Sequence, residues 1–252
     1  MKKILLGAAA AIAIAAPSVA FADTSGYVEG GYENTEYDSG SEFDAIHLGG
    51  GFYHSMGGWA IQSDARMVNQ EWNNPFGDDS HGYAALHAVT EGGPWDFGAF
   101  IGLLDYYGDS GKMIGAETRT NFGNLSLQGT LGYGDFESFS DYNVWDAHLD
   151  ASFFLSPNFA ITGGAGYTEW DAFTDSDALT LALGGAFQFA NGFTLAGEYV
   201  NTDADNSGAG WETDTFRVSL RFDINGGSLQ DITNDGASWN GGVQLHETML
   251  RW

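Results

Sequence analysis

Apolar and polar residues alternate one by one over long tracts of this chain. In Thr215–Phe222, Phe216, Val218, Leu220 and Phe222 alternate with Arg217, Ser219 and Arg221. Successive side chains of a β-strand point to opposite faces, so this stretch has one apolar and one polar face. Upstream, Leu179, Leu181, Leu183, Phe187 and Phe189 oppose Thr180, Ala182, Gly184, Ala186 and Gln188. Trp145, Ala147, Leu149, Ala151 and Phe153 likewise oppose Asp146, His148, Asp150 and Ser152. The period of two predicts twelve strands: Ser25–Glu36, Asp44–His54, Trp59–Asn69, His81–Thr90, Trp95–Tyr106, Lys112–Phe122, Asn124–Asp135, Asn143–Leu155, Asn158–Glu169, Asp177–Phe189, Gly192–Asn201 and Thr213–Phe222.

The connections alternate in kind. Ser55–Gly58, Glu91–Pro94, Gly123, Ser156–Pro157 and Ala190–Gly192 are tight and carry Gly, Pro or Asn-Gly, the chemistry of hairpin turns. The other connections are longer and mostly acidic, as in Gln70–Ser80 and Thr202–Glu212. A soluble β-sandwich also alternates, but it explains neither the strand length nor this asymmetry. In a transmembrane barrel the apolar face meets lipid and the polar face the lumen, with short turns on the periplasmic side and longer loops outside. Trp59, Trp95, Phe97, Phe122, Phe159, Phe193 and Phe222 lie near the tight turns, and Tyr106, Tyr133, Tyr167 and Tyr199 nearer the long loops. They are placed as two interfacial aromatic girdles would be.

Composition narrows the reading. Lys2 and Lys3, the apolar run Ile4–Ala16 and the small residues up to Ala22 predict a secretory signal over residues 1–22. Losing Lys2 and Lys3 takes the formal charge from −26 to −28. Such a field excludes nucleic acid as a natural partner. The chain has no cysteine, so no disulfide braces it. No later apolar run is long enough for a transmembrane helix, which leaves a closed barrel as the way into a membrane. The barrel is expected to span residues 23–222. Residues 223–252 are read either as a periplasmic tail or plug-like extension, or, over Val243–Trp252, as a further strand.

The signal, the twelve amphipathic strands, the turn asymmetry and the FRVSLRF motif at residues 216–222 together resemble small Gram-negative outer-membrane β-barrel proteins of the porin type. The resemblance implies an all-β, closed antiparallel barrel in the bacterial outer membrane. It also implies outer-membrane lipid as surroundings, the barrel-assembly machinery as partner and small polar solutes as cargo. It leaves the oligomeric state open.

The predicted lumen carries Glu29, Asp64, Arg66, Glu117, Arg119, Asp146, His148, Asp150, Glu198, Arg217 and Arg221, among small residues such as Gly132, Gly164, Ala182, Gly184, Ala196 and Ala116. Opposite charges in a narrow bore either form a pore constriction with a transverse field or neutralise one another in a closed barrel. Arg217 is expected to pair with Glu198 and Glu29. The acidic loops favour a weakly cation-preferring diffusion channel. The other function is a non-conducting structural or adhesive barrel that presents those loops. No phosphate-cradling loop, zinc signature or nucleophile elbow is evident, so no enzyme is expected. His81, beside Asp78, Asp79 and Ser80, is the one rim histidine, and a histidine beside acids in a loop is read as solvated rather than catalytic. Asp203, Asp205, Ser207 and Asp214 have the spacing of a calcium-binding loop, although no flanking helices are predicted.

Overall fold

The computed structural model describes residues 24–73, 79–106, 109–136, 142–171, 175–189, 192–206 and 210–250. The signal segment at 1–22 lies outside them, as do Asp78 and Ser207.

Twelve strands form one closed antiparallel barrel: β1 Thr24–Tyr37, β2 Glu42–Ser55, β3 Trp59–Trp72, β4 Asp79–Thr90, β5 Asp96–Tyr106, β6 Asp109–Phe122, β7 Leu125–Phe136, β8 Tyr142–Ser156, β9 Phe159–Asp171, β10 Ser176–Phe189, β11 Phe193–Asn206 and β12 Trp211–Ile224. Each strand pairs with its sequence neighbours, and β1 pairs with β12 along Gly26↔Ile224 to Tyr37↔Thr213. Closure leaves no unpaired edge, the condition for a sheet to sit in lipid. At four tight turns a glycine with positive φ turns the chain: Gly57 (74°), Gly92 (86°), Gly123 (64°) and Gly192 (82°). A side chain there would be strained.

The faces sort as the alternation requires. Ile46, Leu48, Ile101, Ile114, Leu181, Leu183 and Phe216 are exposed on the outer surface, while Glu33, Asp64, Arg66, Glu117, Arg119 and Asp146 are buried inside. Ala116 falls on the outer face, because Glu117 beside it points inward; it is not a lumen residue. The strands reach beyond the apolar tracts at the long-loop end, β11 by five residues. Facing pairs such as Asp203↔Glu212 extend the ladder where no alternation in hydropathy marks it.

After β12 the chain turns at Asn225, a residue type that tolerates its left-handed φ of 59°. Two helices follow, α1 Leu229–Asp235 and α2 Gly241–Leu250. Of the two readings of this segment, the further strand over Val243–Trp252 is therefore not the one adopted over the described residues up to Leu250. Twelve strands already close the sheet, and this segment satisfies its own backbone as a helix. In α1, Ser228 caps the first turn, accepting from the Asp231 N–H while Asp231 accepts from the Ser228 N–H. The helix lies across the tight-turn mouth: Gln230 donates to the carbonyls of Pro157 and Gly123, each at 2.9 Å. The chain then enters the barrel, and Trp239 packs with Tyr53, Ala60 and Val89.

Candidate functional site: a lumen shared with the C-terminal segment

The position of α2 inside the barrel follows from its sequence. Leu245 and His246 are fully buried, Leu245 within a cluster that includes Tyr83, Phe100, Met113 and Phe136 of β4–β7. The helix begins with two glycines, and a Cβ on Gly242 would come within 2.9 Å of the Cβ of Ala85. Gly132 faces Leu245 across the interface. Asn240, Gln244 and Glu247, four and three residues apart, form a polar stripe on the other side.

That stripe borders a cavity of about 310 Å³, whose far wall is β8–β12. The wall is built from small residues, among them Gly163, Gly185, Ala186 and Ala196. Two smaller cavities sit in series with it. One of about 100 Å³ shares Glu29, Arg66, Asn240 and Val243 and extends to Tyr27, Arg221 and Trp239 near the tight turns. One of about 30 Å³ shares Asp150, Glu198, Gln244 and Glu247 and extends to His148 and Thr180 toward the long loops. The helix thus fills one side of the lumen and leaves a discontinuous polar gap along the other.

All four lumenal arginines engage the segment after β12. Arg66 donates to the Glu247 carboxylate. Arg217 donates to the same carboxylate at 2.9 Å, to Glu33 at 3.0 Å and to Glu198 at 3.3 Å. Arg119 donates to Ser238 Oγ (2.8 Å) and the Thr233 carbonyl (3.0 Å), lies 3.7 Å from Asp96, and stacks 4.5 Å over Trp239. Arg221 donates to Asp223 (2.7 Å) and the Ala237 carbonyl (2.9 Å) and lies 3.9 Å over the Tyr27 ring. Charged groups this well covered persist only when paired or hydrogen-bonded.

The acids divide between wall and helix. Asp150 accepts from Asn240 (3.0 Å) and Gln244 (2.8 Å). Asp146 accepts from Thr168 and Thr248 at 2.9 Å and lies 3.1 Å from His148, whose Nε2 is 3.1 Å from Thr248. Glu117 accepts from the Gly241 N–H at 3.1 Å. His87 joins two carboxylates, with Nδ1 2.6 Å from Glu117 and Nε2 2.7 Å from Asp64, while Tyr83 donates to Asp64 at 2.6 Å. Glu29 lies 3.4 Å from His47.

The expected Glu29–Arg217 pair is corrected by the register. Arg217 stands opposite Glu33, and Glu29 stands opposite Arg221, four residues lower on each strand. Glu33 belongs to the constellation and was missed, although it shares the inward parity of Glu29. The partners on α2 were also missed: Glu247 was visible as a charge, but not as a helical one. His81 sits inside the barrel, 3.4 Å from His246, and is not a rim residue. Asp203 and Asp205 lie in β11, and Asp214 in β12 accepts from Tyr199 and Asn201. Among the described residues no group of three or more His, Cys, Asp or Glu could hold a metal.

No protein-family model and no curated protein matches this sequence. Solved structures match its fold. An outer-membrane channel from Pseudomonas putida F1 is 12% identical, with a TM-score of 0.60 over 80% of this chain and 95% of that one. The β domain of the Bordetella autotransporter BrkA is 12% identical, with a TM-score of 0.55 over 80% of this chain and all of that one. The translocator domain of the autotransporter NalP from Neisseria meningitidis is 14% identical, with a TM-score of 0.51 over 84% and 92%. With its apolar outer face, the chain has the fold of bacterial outer-membrane β-barrels.

Proposed function

We propose that this chain is an outer-membrane diffusion channel narrowed by its own C-terminal segment to a side passage for small polar solutes and ions. The observation that carries the reading is the one-sided seat of α2. Its apolar face is packed on β4–β7, and its polar stripe looks across a cavity of about 310 Å³ at a wall of small residues. A segment that served only to fill the lumen would bury both faces. Glu29, Asp150, Glu198 and Glu247 outnumber Arg66 and Arg217 around that cavity, which supports a weak preference for cations. The acidic loops add to it at low salt.

Planar-bilayer recording tests the reading. The intact protein is expected to give small conductance steps whose reversal potential favours cations, and a chain ending at Ile224 larger steps. Silence from both proteins would favour the second reading, a non-conducting structural barrel. Its support is that all four lumenal arginines are already held by protein groups.

A further inference from the structure

The charges around the large cavity are unevenly shared: both arginines and three of the four carboxylates, Glu29, Glu198 and Glu247, lie on β1, β3, β11, β12 and the helix, and Asp150 stands apart on β8. At one side Arg66 and Arg217 flank Glu247. The hydrogen bonds of Arg66 run through Nη1 and those of Arg217 through Nε and Nη1. A guanidinium carries five donors in a fixed fork, so each keeps Nη2 donors beyond these bonds. Both arginines line the cavity. Glu198, 3.3 Å from Arg217 on the neighbouring strand, stands between this group and Asp150. Asp150 is hydrogen-bonded by two neutral amides through Oδ2 alone. Glu198 shares Arg217 with two other carboxylates and keeps 31% of its side chain exposed. Gly164, Ala182 and Gly184, with Thr162 beside Gly184, lie on the lumen face of the two strands between Asp150 and Glu198.

We propose that this cavity is a binding site for a small zwitterion, an amino acid or short peptide. Its carboxylate would accept from the free donors of Arg66 and Arg217, and its ammonium group would lie between Asp150 and Glu198. The proposal deepens the channel reading by naming a solute class for the same passage. At about 30 Å³ of liquid volume per water, the space corresponds to about ten waters, the size of such a solute. An ammonium group would also supply the cationic partner that the Asp150 hydrogen bonds lack. A solute with one charge would satisfy one side of the cavity and leave the other to water.

The test is equilibrium binding to the full-length protein folded in detergent, so it does not depend on conduction. The probes are 4-aminobutyrate, butyrate and butylamine, matched in length, titrated at pH 7 by calorimetry. The zwitterion is expected to bind about tenfold or more tightly than either analogue, since each lost charge removes a charge-assisted hydrogen bond. Asp150→Asn should weaken the zwitterion toward butyrate. Ala196→Leu, which fills the cavity and keeps every charge, should weaken all three probes. Butylamine binding as tightly as 4-aminobutyrate overturns the proposal in favour of a plain cation site, and equal binding of butyrate overturns it in favour of an anion site. No binding by any probe overturns it as well, and leaves the bilayer result to judge the channel separately.

Discussion

The two walls of the lumen belong to one closed antiparallel sheet, yet behave as opposites. β4–β7 offer Tyr83, Phe100, Met113 and Phe136, and β8–β12 offer Gly164, Ala182, Gly184, Ala186 and Ala196. Large residues give α2 a surface to bury Leu245 against, whereas small ones leave a gap. In a twelve-stranded barrel the bore lies between the filled interior of eight strands and the open channel of sixteen. Side-chain size on each wall then decides where the chain packs and where water remains.

The harshest way to break this contrast is to remove what leans on the large wall. A chain ending at Ile224 should still form a heat-modifiable barrel, because every strand pair is present, and should conduct several-fold more than the full chain. Loss of heat-modifiable migration would show that the large wall needs α2 for folding.

Next in size is Leu245→Ala. Large-to-small changes at a fully buried leucine cost about 2–5 kcal/mol, and Leu245 is fully buried. The cost should fall on the seat of α2, seen as flickering conductance with the unheated gel mobility unchanged. A steady wild-type trace would mean that the polar clamps alone hold the helix.

Arg217→Ala sharpens the contrast from the small-wall side. It removes the guanidinium that Glu33, Glu198 and Glu247 share, while Arg66 still holds Glu247. Removing one partner of a buried ion pair costs about 3–5 kcal/mol, so a lower heat-modification temperature is expected. Where the barrel persists, the reversal potential should move toward cations. That shift should shrink at 1 M salt, where the screening length is about 3 Å. A move toward anions would show that these carboxylates do not face the passing ions.

The smallest effect belongs to Ser228→Ala. Losing an N-cap costs about 1 kcal/mol. The change should raise amide exchange in α1 and leave α2 untouched, since the two helices rest on different groups.

Much of this architecture was legible in the chain. Strict alternation within each strand and glycine at the turns located all twelve strands and sorted most side chains to the right face, because lipid punishes a polar residue on the wrong side. Strand ends were less legible. Above the lipid, Thr202, Asp203, Ala204 and Asp205 continue β11 with no run of large apolar residues of their own to reveal their parity. The lumen was legible in content and not in pairing: Glu33 and Glu29 share one parity, and only the β1–β12 register separates them. The C-terminal helix was the least legible. Gly241 and Gly242 argue against a helix in isolation, and they are present because the β4–β6 wall lies too close for a side chain.

The bond between Glu33 and Arg217 spans 184 residues of sequence and joins the first strand to the last. Loop closure makes so distant a pair among the slowest to form. The same guanidinium holds Glu247, whose segment can take its place only once β12 has been made. Arg217 therefore stands where two late events of assembly meet, the zipping of the seam and the docking of the segment that follows β12. Before either is finished its charge lies open in the lumen, and a barrel halted short of completion carries that open charge as its mark.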